Sequence, residues 1–124
     1  MNNELIYLAC PYTHKDKAVM EERFRCVNKA ASKLMAAGRY IFSPISHTHP
    51  IAEAGELPRG WEFWQGYDTA IISRCTSIYV LMLEGWKEST GVQAEIKPAK
   101  EYDIPVVFID ENLEVQKIIC DYTV

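Results

Sequence analysis

The strongest constraint on the fold of this chain is a series of short, continuous apolar runs. Residues 5–10, 78–83 and 105–109 are apolar almost throughout, and residues 40–43 form a weaker run of the same kind. A run that is apolar at successive positions indicates a strand buried on both faces, which is typical of a parallel sheet. Four such runs in 124 residues predict a small and mostly parallel sheet.

The segments between these runs have helical periodicity. Apolar residues recur at helical spacing across residues 16–37 and 61–74, and a further helix is predicted to begin at Ser89. Strands that alternate with helices predict an α/β fold, a flavodoxin- or Rossmann-like three-layer sandwich with a mostly parallel sheet of four to five strands. A chain of 124 residues is long enough for one core, so residues 1–124 are predicted to form a single domain.

Three further features carry weaker signals. Residues 45–59 are rich in proline and show no clear period, which favours a long functional loop. Residues 113–120 are predicted to form a short amphipathic helix that closes the chain. Pro98 is expected to kink or shorten the helix that begins at Ser89.

Charge and composition limit the partners. The net charge is −4, and lysine and arginine do not cluster, which argues against a nucleic-acid polymer but not against a single nucleotide. No apolar stretch is long enough to span a bilayer, and residues 1–4 lack the features of a signal peptide, so we expect a cytoplasmic protein with no membrane partner. The four cysteines are far apart, which favours reduced thiols over disulfides or a zinc site.

The turn before the last long helix is the first candidate for a binding site. Ser89, Thr90 and Gly91 follow an apolar run and open a helix, whose free backbone N–H groups attract an anion such as phosphate. Glu95 lies about one turn further along, beside whatever binds there. A carboxylate next to an anion site favours chemistry on a phosphorylated or hydroxylated small molecule. The alternative is a capping serine followed by a solvent-exposed glutamate.

Glu95, Asp68 and Tyr7 form the candidate catalytic group. Ligands of open α/β sheets bind beyond the C-terminal ends of the strands, and this rule brings the three residues near one edge. Two carboxylates suit displacement at a sugar carbon, where one attacks or stabilises an oxocarbenium-like centre and the other serves the leaving group. Tyr7 could hold Glu95 by a hydrogen bond. The alternatives are a solvated Asp68, a core Tyr7 and a Glu95 that belongs to an ion pair.

Further substrate contacts are predicted from aromatic, basic and loop residues. Trp64 and Trp86 offer flat surfaces on which a base could stack, although such residues also occur in cores. Arg23 could reach a phosphate from the first helix. The full set of predicted substrate contacts is Pro11, Arg23, His47, Trp64, Trp86, Ser89, Thr90 and Gly91.

No metal site is predicted. His47 and His49, if they lay in an extended loop, would point both rings the same way, yet no third ligand stands at a supporting spacing. The sequence also contains no P-loop, no dinucleotide-binding glycine motif and no nucleophile elbow. The commonest NTPase, dinucleotide-binding and acyl-transfer classes are therefore excluded.

Three motifs resemble those of the nucleoside 2-deoxyribosyltransferases. Residues 7–12, Tyr-Leu-Ala-Cys-Pro-Tyr, resemble the Tyr-Leu-Ala-x-Pro-Phe opening of that family. Asp68 lies in the helix where the family has an essential aspartate, and Gly91-x-x-x-Glu95 resembles the motif of its nucleophilic glutamate. The chain also resembles an uncharacterised subgroup of this superfamily, which has the Arg-Phe-Arg-x-x-Asn pattern of residues 23–28 and a His-Pro-Ile loop.

The resemblance implies a reaction and a role for each residue. Glu95 would attack C1′ of the sugar, Asp68 would help to protonate the departing base, and Tyr7 would position Glu95, without any cofactor. In the hydrolase branch of the superfamily, a serine in the place of Ser89 contacts the 5′-phosphate. The transferases typically have an acidic residue in the place of Thr90. The neutral Thr90 therefore favours an N-glycosidase acting on a (deoxy)nucleoside 5′-monophosphate.

The alternatives are a nucleoside 2-deoxyribosyltransferase that exchanges bases and a non-catalytic nucleotide-binding sensor. In all three cases the predicted partner is a small nucleotide or nucleoside. The resemblance also implies a homodimer or larger homo-oligomer, in which a neighbouring chain completes the site.

Overall fold

The computed structural model describes residues 3–122 and contains a five-stranded sheet with helices on both faces. In chain order the elements are β1 (Ile6–Ala9), α1 (Lys17–Ala36), β2 (Ile41–Phe42), α2 (Pro44–Gly55), α3 (Trp61–Ile72), β3 (Ser77–Leu81), α4 (Thr90–Glu101), β4 (Val106–Ile109) and β5 (Val115–Ile119).

The strands lie in the order β2-β1-β3-β4-β5, and the first four are parallel. β5 pairs antiparallel with β4 at the edge of the sheet. This order is the flavodoxin-type arrangement of a Rossmann-like three-layer sandwich, as the alternation of strands and helices predicts. The chain leaves β1 in one direction across the sheet to reach β2 and crosses in the other direction to reach β3, so a crevice forms between the carboxyl ends of β1 and β3.

Each face of the sheet has its own hydrophobic core. On one face, Ile6 and Leu8 of β1 pack with Val27 and Leu34 of α1. On the other face, alternate residues of the strands pack with α3 and α4, so that Tyr7 lies in this second core. All four residues of β1 are buried, because helices cover both faces of the central strand.

Local capping explains where two of the helices begin. The side chain of Asp16 accepts a hydrogen bond from the N–H of Ala18 at the start of α1. Ser89 caps α4 in the same way, because its hydroxyl accepts from the N–H of Val92. Pro98 does not end α4, which continues to Glu101.

The loop predicted over residues 45–59 is wrong, because most of this segment belongs to α2. Pro44 occupies the first turn, where a missing N–H breaks no helical hydrogen bond. Pro50 lies inside the helix, and the buried side chains of His49 and Ala52 face inward. The prolines concealed the helix at the sequence level because they usually mark breaks.

The helix predicted over residues 113–120 is also wrong, because β5 occupies this segment. The carboxylate of Asp110 accepts hydrogen bonds from the N–H groups of Asn112 and Glu114. These bonds form a tight turn that directs the chain back along β4. An exposed edge strand has no continuous apolar run, so its sequence resembles that of an amphipathic helix.

The predictions from composition agree with two structural findings. Among residues 3–122, no helix has both the length and the apolar character needed to cross a membrane. All four cysteines are free thiols, and Cys10 and Cys75 are buried.

The central strand β3 and the edge strand β5 each contain an isoleucine, and the different burial of these two residues allows a matched test of the core. Ile78 in β3 is fully buried, whereas Ile118 in β5 is 57% exposed. We expect Ile78→Ala to lower the free energy of unfolding by about 3 kcal/mol, because it leaves a cavity between the sheet and its helices. The same change at Ile118 should cost less than about 1 kcal/mol. Urea denaturation of both variants measures the difference, and equal losses would contradict this account of the core.

Candidate active site

A pocket of about 340 Å³ opens at the crevice between the carboxyl ends of β1 and β3. Residues that follow β1 form one part of its wall, residues 88–91 at the start of α4 form another, and α2 and α3 complete it. The pocket lies where ligands bind in open α/β folds of this topology. The fold therefore places a cavity at the edge where the sequence predicted a site.

Tyr7, Asp68 and Glu95 lie together at this pocket. Asp68 comes from α3 and Glu95 from α4, and both are buried and line the cavity. Tyr7 lies behind them in β1, fully buried, and its hydroxyl donates a hydrogen bond to Oε2 of Glu95. The Tyr7 hydroxyl also lowers the pKa of the Asp68 carboxyl. One phenol thus acts on two carboxyl groups from different helices.

Burial raises the pKa values of both carboxyl groups. For Glu95, burial outweighs the opposing hydrogen bond from Tyr7, and with a further contribution from the charge of Asp68 the pKa rises to about 8. For Asp68, burial raises the pKa to about 6, and the Tyr7 hydroxyl opposes this rise. Between these values the pair holds one proton, which the two carboxyl groups share.

Tyr7 remains a hydrogen-bond donor throughout this range. Burial and the negative charges of Glu95 and Asp68 raise its pKa well above the ordinary value for a phenol. The hydroxyl therefore keeps its proton at neutral pH and stabilises an ionised carboxylate beside it.

The N-terminus of α4 forms one rim of the pocket. Ser89, Thr90 and Gly91 all line the cavity, as does Glu88, which precedes them. The oxygen of Ser89 accepts from the N–H of Val92, so the hydroxyl proton of Ser89 is available to another acceptor. An oxygen-rich ligand group could bind at this rim.

The predicted aromatic contacts divide into two groups. Trp64 lines the pocket together with Trp61, and its indole N–H donates to the carbonyl of Pro58 at 2.7 Å. Trp86 does not line the pocket, because its ring packs on Phe108 in the core, with the centroids 5.4 Å apart. Trp64 therefore offers a surface to a ligand in this pocket, and Trp86 does not.

Three other predicted contacts also lie outside the pocket lining. Arg23 donates hydrogen bonds to the backbone carbonyls of Tyr12, Thr13 and Glu84, so it ties together the loops that follow β1 and β3. Pro11 is fully buried. His47 is exposed, and its ring stacks on Tyr67 with a centroid separation of 6.5 Å.

One wall of the pocket is formed by Tyr12, His49 and Arg59, of which the sequence analysis weighed only His49, and that only as a possible metal ligand. The hydroxyl of Tyr12 forms a hydrogen bond with Nδ1 of His49 and accepts another from Nη1 of Arg59 at 2.7 Å. Within the described part of the chain, Arg59 is the one guanidinium or ammonium that lines this pocket. The position of His49 could have been anticipated only if residues 44–55 had been recognised as a helix.

Comparisons with known proteins identify a family but no activity. A family model described as a domain of unknown function, DUF1937, matches residues 4–111. This range covers most of the chain and includes every residue that lines the pocket. No curated protein matches the sequence. The function must therefore be inferred from the chemistry of the pocket.

The raised pKa values predict how stability depends on pH. Folding raises the pKa of Glu95 from about 4.5 to about 8, so the folded state binds more protons than the unfolded state between these values. Stability is therefore lost as the pH rises through this window. Thermal unfolding from pH 5 to pH 8.5 should show Glu95→Gln becoming more stable than the wild type by about 2 to 4 kcal/mol at the alkaline end. If the stabilities of the wild type and of Glu95→Gln changed with pH in parallel, the raised pKa of Glu95 would be contradicted.

Proposed function

Since the chain belongs to the DUF1937 family, whose description names no activity, we propose its function from the pocket. The protein is an N-glycosidase of the nucleoside 2-deoxyribosyltransferase-like superfamily, and it hydrolyses the base–sugar bond of a (deoxy)nucleoside 5′-monophosphate. The observation that carries this proposal is the buried Glu95, which receives a hydrogen bond from Tyr7 and shares the pocket with Asp68.

The proposed chemistry has two displacements at C1′ of the sugar. A carboxylate oxygen of Glu95 forms a bond to C1′ while the bond from C1′ to the base nitrogen breaks, and Asp68 gives its proton to the departing base. Water then attacks C1′, transfers a proton to Asp68 and releases Glu95 as a carboxylate. The pair ends with the same number of protons as it had at the start.

The pKa values set a condition for this mechanism. In the unliganded protein burial raises the pKa values of both Glu95 and Asp68, and the pair shares one proton between about pH 6 and pH 8. Attack requires this proton to lie on Asp68 while Glu95 is ionised. Positive charge that develops at C1′ beside Glu95 favours this arrangement, because an adjacent cation lowers the pKa of a carboxyl group. The hydrogen bond from Tyr7 acts in the same direction.

The rest of the pocket supports a nucleotide as substrate. Trp61 and Trp64 supply aromatic surface for a base. The hydroxyl of Ser89 and the start of α4 supply hydrogen-bond donors for the oxygens at the 5′ end of the sugar. Arg59 contributes positive charge to the same cavity, which favours an anionic ligand.

Glu88 favours a second candidate, a nucleoside 2-deoxyribosyltransferase. Glu88 lines the same pocket next to Ser89 and carries a carboxylate. An acidic group there repels a phosphate but accepts a hydrogen bond from a free 5′-hydroxyl. In this case a second base, rather than water, would displace the sugar from Glu95.

Chromatographic detection of free base tests both candidates. We expect the wild type to release base from a member of a panel of ribo- and deoxyribonucleoside monophosphates without an acceptor base. Glu95→Ala should lower kcat/KM by about 1000-fold or more, because the nucleophile is lost. Glu101→Ala removes an exposed carboxylate from the same helix and should leave the rate unchanged.

The panel also separates the competing functions. If the protein acts on nucleosides only when a base is added, its function is base transfer and not hydrolysis. The third outcome is saturable nucleotide binding without release of base and without any effect of Glu95→Ala on affinity. It would refute both enzymatic functions and support a nucleotide sensor.

The shared proton predicts a bell-shaped pH profile. Activity requires one ionised and one protonated carboxyl group, so kcat/KM should be highest between about pH 6 and pH 8. Asp68→Asn should lower the maximum by about 100-fold, because the general acid is lost. It should also remove the decline at high pH, since only the ionisation of Glu95 then matters. A decline at high pH that persists in Asp68→Asn would contradict its role as the acid.

A further inference from the structure

The geometry points to a divalent-metal site formed by Glu21, His49 and Glu53, suited to Zn²⁺ and separate from the catalytic carboxyl pair. Glu21 comes from α1, and His49 and Glu53 come from α2. One potential ligand atom from each residue lies within 4.8 Å of the other two. The three residues form a cluster between two helices, behind the pocket wall to which His49 contributes.

The separations match those around a bound ion. Nε2 of His49 lies 3.3 Å from Oε1 of Glu21 and 3.7 Å from Oε1 of Glu53. A tetrahedral ion about 2.1 Å from each donor requires the donors to be about 3.4 Å apart. Both contacts are longer than a charge-assisted hydrogen bond of about 2.8 Å. His49 is therefore spaced from each carboxylate as neighbouring ligands of one cation are, and too far from both for a strong hydrogen bond.

Neighbouring residues fix His49 in the orientation that a ligand needs. Its ring is buried and stacks on Phe24 with a centroid separation of 4.0 Å. Tyr12 forms a hydrogen bond with Nδ1, which leaves Nε2 directed towards the two carboxylates. Metal-binding histidines commonly have such a partner on the second ring nitrogen, because it selects the tautomer and holds the ring.

Arg59 supports the cluster from the other side. Its guanidinium lies 3.2 Å from Oε2 of Glu53, while Oε1 of the same carboxylate faces His49. A ligating carboxylate is typically oriented by a partner on its second oxygen in this way. The side chains of Glu21 and Glu53 are about one-third exposed, which gives an ion a path from solvent and leaves space for water as a fourth ligand.

The donor set indicates which metal would bind. One imidazole nitrogen and two carboxylate oxygens suit Zn²⁺, whereas Mg²⁺ prefers oxygen ligands and retains most of its water. This set differs from the His47–His49 pair considered from the sequence. Both histidines belong to α2, but their rings have different partners. His47 stacks on Tyr67, whereas His49 packs on Phe24.

A bound ion would stabilise the wall of the pocket. It would connect α1 to α2, and α2 contributes Pro44, Ile45 and Thr48 to the cavity. It would also hold His49 and therefore Tyr12 in place. The ion acts on the shape of the pocket and takes no part in the proposed displacement at C1′.

Zinc titration of the metal-free full chain tests this inference. We expect isothermal calorimetry with ZnCl₂ to show one Zn²⁺ per chain. Glu21→Gln and Glu53→Gln should each weaken binding by about tenfold or more, because each removes a charged ligand while keeping the shape of the side chain. Saturating Zn²⁺ should raise the Tm of the wild type by about 5 °C or more and should shift these variants less.

Two control variants locate the ion. His47→Ala removes the other histidine of α2, and Glu95→Gln removes a carboxylate of the catalytic pair, so both should bind Zn²⁺ like the wild type. The inference is overturned if the wild type shows no saturable Zn²⁺ binding, in which case the cluster is an ion-pair network. It is also overturned if the double variant Glu21→Gln/Glu53→Gln binds as tightly as the wild type, or if a control variant loses binding.

Discussion

The hydrogen bond from Tyr7 to Glu95 is the interaction on which the site depends. It joins the central strand to α4 at a point where both side chains are buried. Burial makes ionisation of this carboxyl group unfavourable. The phenol reduces that penalty, because it donates a hydrogen bond to the charged form. The same hydroxyl acts on Asp68 from α3, so the residues of three elements share one polar cluster inside an apolar core.

The strand order determines where this cluster meets solvent. β1 and β3 are neighbours in the sheet, and the chain crosses from β1 and from β3 in opposite directions. The crevice between their carboxyl ends exposes Asp68 and Glu95 to a cavity while Tyr7 stays behind them. A pocket that offers a buried nucleophile, an acid and aromatic walls suits displacement at a glycosidic carbon, which is why we propose an N-glycosidase.

The fold was largely predictable because continuous apolar runs identify the four parallel strands, and the same pattern placed Tyr7, Asp68 and Glu95 at one edge. The wrong predictions fall in segments where the same sequence pattern is compatible with two different structures. Proline usually ends a helix, yet α2 contains Pro44 in its first turn and Pro50 in its interior, which concealed the helix and with it the position of His49. The sequence also could not predict the direction of these side chains. Trp86 packs on Phe108 in the core, and Arg23 binds backbone carbonyls.

A covalent intermediate on Glu95 is the most specific consequence of the proposed mechanism, and it is the first thing to measure. A nucleotide that the enzyme cleaves is mixed with stoichiometric protein, quenched in acid and analysed by intact-mass and peptide mass spectrometry. We expect an added sugar phosphate on the peptide that contains Glu95, and no adduct in Glu95→Gln. Release of base with the adduct on a different residue, or release that continues at the wild-type rate in Glu95→Gln, would contradict the proposed mechanism.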